Sequence, residues 1–60
     1  MDLYESLIKV IENAKSKHEN GYMSDIEYKS HAAITTKKIN ILKDHNKLTN
    51  EQAESLIGIM

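Results

Sequence analysis

The chain has no cysteine, no proline, no phenylalanine and no tryptophan, and all eight of its basic residues are lysine, none arginine. Each absence excludes something. Without cysteine there are no disulfides and no thiolate metal sites. Without proline no helix interior is kinked by a ring or deprived of a backbone donor. Arginine's planar fork is the commonest specific reader of guanine and the best bidentate phosphate clamp. Its absence argues against sequence-specific nucleic-acid binding, although the Lys/Ile/Asn bias of an AT-rich genome produces the same pattern. No apolar run is long enough to span a membrane. The N-terminus, MDLYESLIKV, shows neither the basic region nor the small-residue cleavage site of a leader. On these grounds the chain is expected to be complete and cytoplasmic.

What remains is short and close to neutral: 60 residues with a formal charge of −1. A chain of this length forms one domain at most and buries only about 60% of the surface its unfolded form exposes. Its stability is expected on the order of 3–9 kcal/mol. Small natural domains supplement such cores with disulfides, metals or partner chains. With disulfides excluded, association with another chain is the expected remedy.

Helical grammar dominates the sequence. Leu3, Tyr4, Leu7, Ile8, Val10, Ile11 and Ala14 fill one broad arc on a single side of a helix. Asp2 is placed to cap its start, Glu5 and Lys9 form a supporting pair one turn apart, and Gly21 stands at its stop. In GYMSDIEYK, Ser24 and Glu27 fit a capping box, with Met23 and Tyr28 in the two positions of a hydrophobic staple. The pattern returns further along in NKLTNEQAE, where Asn46, Leu48, Thr49, Gln52 and Ala53 take the corresponding positions. An all-α chain of three helices is predicted, near 2–19, 25–45 and 50–59, joined by two short capped corners. The two corners are alike either through duplication or because two helix starts obey the same physics.

The middle helix carries two apolar arcs. Ile26, Ala33, Ile34 and Ile41 share one side of the wheel, and Tyr28, Ala32, Ile39 and Leu42 occupy a nearly opposite arc. The expected arrangement puts the first helix on one arc and the third helix on the other. The third helix offers only Ala53, Leu56, Ile57 and Met60, so apolar surface is expected to be left over. Exposed patches of that kind mark association surfaces. Tyr4, Ile8, Tyr22, Tyr28, Ile39 and Leu42 are the candidate interaction residues, with Tyr22 at the corner as the exposed anchor.

Catalytic and metal chemistry find no support. His31 and His45 lie about 21 Å apart along the axis of one helix, too far to share an ion. His18, near the end of the first helix, meets neither without a partner chain. No nucleophile elbow or phosphate-cradling loop is present. The chain is read as non-enzymatic, with no cofactor and no metal. Lys37, Lys38, Lys43 and Lys47 are candidate phosphate contacts under an alternative reading, in which an oligomer pools its lysines on nucleic acid. Against it, Lys37 and Lys38 point about 100° apart and no aromatics interleave with the lysines to stack bases.

At the first corner the chain resembles the SHOCT (short C-terminal) helical module: a helix, then glycine, an apolar residue, Ser or Thr, an acid and an aromatic opening a second helix. Gly21, Met23, Ser24, Glu27 and Tyr28 match that order across about residues 5–35. Thr35 and Thr36 stand where that family usually has leucines, and a third helix follows. Similar corners occur in short phage proteins of low-GC Gram-positive hosts. The resemblance implies oligomerisation or protein binding without catalysis. The expected partners are a second copy and a host or phage protein, in a structural or an inhibitory role.

Overall fold

A computed structural model describes residues 2–60. Three α-helices follow one another, α1 (Leu3–Glu19), α2 (Asp25–Asp44) and α3 (Asn50–Ile59). Each begins on a side-chain cap. Asp2 Oδ1 accepts from the Glu5 amide at 2.8 Å. Ser24 Oγ accepts from the Glu27 amide at 3.1 Å while Glu27 Oε1 accepts from the Ser24 amide at 3.1 Å. Thr49 and Gln52 repeat this reciprocal pair at 3.0 Å in both directions. Both capping boxes read in the sequence are therefore formed.

The two internal helix ends are equally regular. Gly21 takes φ 80° and Asn46 takes φ 60°. This is the left-handed conformation that glycine and asparagine tolerate best. Behind them the Tyr22 amide donates to the Lys17 carbonyl at 2.8 Å, and the Gly21 amide to the His18 carbonyl at 3.2 Å. The Lys47 amide donates to the Leu42 carbonyl at 2.8 Å and the Asn46 amide to that of Lys43 at 3.0 Å. These paired bonds satisfy carbonyls that a helix end otherwise leaves orphaned.

Each helix touches both others. One fully buried large side chain comes from each, Ile11 from α1, Ile39 from α2 and Leu56 from α3, and Leu48 of the second corner and Ala53 join them. Burying a side chain of that size contributes about 1.5–3 kcal/mol. Tyr4, Leu7, Ile8, Leu42, Ile59 and Met60 pack around this cluster, half-buried. A helix as long as α2 spans roughly 30 Å. The longest dimension of the chain is 35 Å, so α2 runs nearly its whole length.

One expectation is corrected. α1 and α3 do not sit on opposite arcs of α2; both pack on the same one. Ile39 is fully buried, Thr35 is 5% exposed, and Tyr28, Ala32 and Leu42 are half-buried. Ile26, Ala33, Ile34 and Ile41 all face solvent. Three helices in mutual contact form a triangle, and each then has a single inner face. The second arc of α2 has nothing in its own chain to cover it.

Candidate interaction surface

Most of the residues that the sequence nominates for contact with a partner lie inside. Ile39 has no exposed surface, which removes it from any interface in this conformation. Tyr4, Ile8 and Leu42 pack half-buried against the core. Tyr28 is half-buried too. Its ring stacks on His18 with centroids 4.5 Å apart and planes 13° from parallel, and its hydroxyl donates a long 3.4 Å hydrogen bond to the Met60 carbonyl. Tyr22 alone of the six is open, at 82% exposure, beside the first corner. These positions serve the fold because the arc containing Tyr28, Ile39 and Leu42 is the one that α1 and α3 share.

Leu3 and Val10 of α1 and Ile57 of α3 are partly open, but the most exposed apolar row is the other arc of α2. Ile26 is 79% exposed, Ile34 59% and Ile41 47%, and Ala33 lies between them. From Ile26 to Ile41 the row runs about 22 Å along the helix. Lys37 falls within its width, at a helical angle between Ala33 and Ile41, and Glu27 and Lys38 lie together along the Ile34 edge. Single exposed apolar residues need no explanation, but three isoleucines aligned on one helix face form a patch. The wheel positions of all these residues were legible. A staple residue gives the signal for which arc turns inward: Tyr28, at the fourth position of α2, must point toward the corner and hence toward α1.

Polar chemistry collects instead at the first corner. His18 Nε2 and Asp25 Oδ1 are 2.6 Å apart, linking the last turn of α1 to the first turn of α2. Hydrogen bonding from His18, then its charge, and more weakly the charge of Lys29, hold the Asp25 carboxyl below its ordinary range. The Glu27 carboxyl is lowered as well, by the Ser24 backbone amide and then by the Ser24 side chain. Read along the chain, His18 has no partner of its own. The missing signal is the shortness of the corner, which sets the basic end of one helix against the acidic start of the next.

Among the described residues no three His, Cys, Asp or Glu side chains come close enough to hold a metal ion. Lys37, Lys38 and Lys47 are exposed and Lys43 is half-buried. Lys43 lines a shallow hollow of about 260 Å³ with Asn40, Asn50, Ala53, Glu54 and Ile57, between the end of α2 and α3. The hollow presents one cation and one carboxylate and gathers no group of lysines. No described helix is long and apolar enough to cross a membrane.

Comparison with known proteins gave no family model, no curated protein and no solved structure that matches the chain.

Proposed function

We propose that this chain is a non-catalytic interaction module that works by laying the outer face of α2 against another protein surface, its own copy included. The observation that carries this is the uncovered row Ile26, Ile34 and Ile41. So short a chain has little apolar area to spare, and leaving three isoleucines in water forgoes burial that each could contribute at about 25 cal/mol per Å². Tyr22, fully presented beside the first corner, is a second contact of the amphipathic kind enriched at interfaces.

In this reading the protein is encoded by a phage or another mobile element and acts in the host cytoplasm, as a small structural subunit or as an inhibitor of a host protein. The SHOCT-like hairpin, with its implied role in oligomerisation, belongs to the same proposal. The alternative, phosphate binding by the pooled lysines of an oligomer, has the exposure of Lys37, Lys38 and Lys47 in its favour.

Salt separates the two. Apolar association persists or strengthens as salt rises, whereas phosphate binding falls steeply because counterions are released. Size-exclusion chromatography at low and at high salt, beside a mobility-shift assay on double-stranded DNA and single-stranded RNA, reads both. Salt-resistant association without a nucleic-acid shift supports the interaction module. A salt-sensitive nucleic-acid shift without salt-resistant association overturns it in favour of phosphate binding.

A further inference from the structure

The outer face of α2 is complementary to itself when the helix runs against a second copy in the opposite direction. On the helical wheel the row is centred between Ala33 and Ile34. A two-fold axis through that point sets Ile26 opposite Ile41 of the other copy, Ala33 opposite Ile34, and Ser30 opposite Lys37. We infer that two copies pair antiparallel through α2 in this register, an inference that rests on the interaction-module reading above.

The charges choose the direction. In a parallel pair each residue meets its own copy, which brings Lys37 against Lys37 in the middle of the apolar row, a repulsive contact of two desolvated ammonium groups. In the antiparallel pair Lys37 faces the Ser30 hydroxyl, whose oxygen can accept from the ammonium. The edges agree. Antiparallel helices bring like edges together, and the Ile34 edge carries both Glu27 and Lys38. In this register Glu27 of one copy lies about 3 Å along the axis from Lys38 of the other, within reach of a lysine side chain. Glu27 accepts from the Ser24 amide through Oε1, and its other oxygen remains available to accept.

The size of the face sets the strength. A row about 22 Å long between helices with axes about 8–10 Å apart buries less than the roughly 800 Å² per partner of a standard interface. The pair is therefore weak and concentration-dependent, dissociating in the micromolar range or above.

Because the chain has no cysteine, single introduced thiols report the register cleanly. The full chain is made as Ile26→Cys, Ile41→Cys and Ala33→Cys, each verified as folded by circular dichroism, and oxidised at high protein concentration. A disulfide needs Cα atoms about 4.4–6.8 Å apart, so positions ~22 Å from their own copy cannot bridge. The expected result is that Ile26→Cys and Ile41→Cys alone give little dimer, their equal mixture gives at least about tenfold more, and Ala33→Cys bridges to itself. If Ile26→Cys and Ile41→Cys each bridge to themselves instead, the register is wrong while association through α2 stands. If the chain associates and no variant bridges above its level in denaturant, the α2 face is not the seam. If the cysteine-free chain stays monomeric at the same concentration, both the pairing and self-association fall.

Discussion

The two corners share one backbone scheme and differ in nearly everything around it. At each, a left-handed residue ends one helix, two amides close back on its last turn, and a hydroxyl and a carbonyl-bearing side chain exchange bonds to start the next. Yet Leu48 at the second corner is part of the core, 5% exposed, while Met23 at the first is half-buried. The first corner has instead the His18–Asp25 contact and the stack of His18 on Tyr28. The capping grammar thus sets the direction of the chain without regard to burial, and each corner is anchored separately, one by packing and one by polar contacts.

Substitutions that exploit this contrast should fall in a clear order. The largest effect is expected from Leu48→Ala, about 2–5 kcal/mol for deleting a buried leucine. That approaches the whole stability expected of such a chain, roughly 3–9 kcal/mol. Met23→Ala removes a half-buried side chain and should cost clearly less. Urea melts followed by circular dichroism measure both, and equal losses would contradict the assignment of Leu48 alone to the core.

Next come the left-handed positions. A Cβ added at Gly21 meets no atom within 4 Å. The cost of Gly21→Ala is therefore the backbone conformation alone, about 1–2 kcal/mol. Asn46→Gly, at the matching site, should leave stability unchanged or raise it slightly. Ser24→Ala and Thr49→Ala each remove a cap worth typically about 1 kcal/mol. Near-equality of these two losses, measured by the same melts, would confirm that the caps act alike despite their different surroundings.

The smallest expected effect is that of pH. Asp25 and Glu27 are both lowered in the folded chain. Their contribution is fully present above the unfolded carboxylate range, about pH 4. As pH falls through the lower folded values the unfolded chain takes up more protons, and that stability is lost. The second corner, with Gln52 in place of Glu27, has no such carboxylate in its box. His18→Ala should move the Asp25 titration, followed by carbon-detected NMR, back up toward the ordinary range. An unmoved titration would mean that His18 is not its main cause.

Local chemistry made the helices and corners legible, because caps and stops are written within a few consecutive residues. Asp2, Ser24 and Thr49 needed no tertiary information to be recognised. The choice of inner face on α2 was not local: its two apolar arcs are alike on the wheel, and what separates them is where α1 and α3 go. Thr35 sharpened the difficulty, since a hydroxyl-bearing residue lies buried on the inner arc. Its Oγ1 is 3.5 Å from His31 Nδ1. That separation is at the outer limit of hydrogen bonding. Among the described residues no buried side-chain polar atom is left without a partner. Of the expected contact residues, Tyr28, Ile39 and Leu42 lie on the arc that is core, and the exposed Ile26, Ile34 and Ile41 lie on the other.

Coverage of the outer row of α2 by a second protein surface is tested most directly by sedimentation of the wild-type chain beside the Ile34→Asp, Ile41→Asp double variant. Neither isoleucine is in the core. The variant should therefore keep its helical circular dichroism, because Ile and Asp differ by no more than about 0.3 kcal/mol per site in helix propensity. The wild type should gain mass as its concentration rises into the hundreds of micromolar, while the variant stays at the 6.9 kDa of one chain. Identical sedimentation of the two, with both folded, would contradict the proposal.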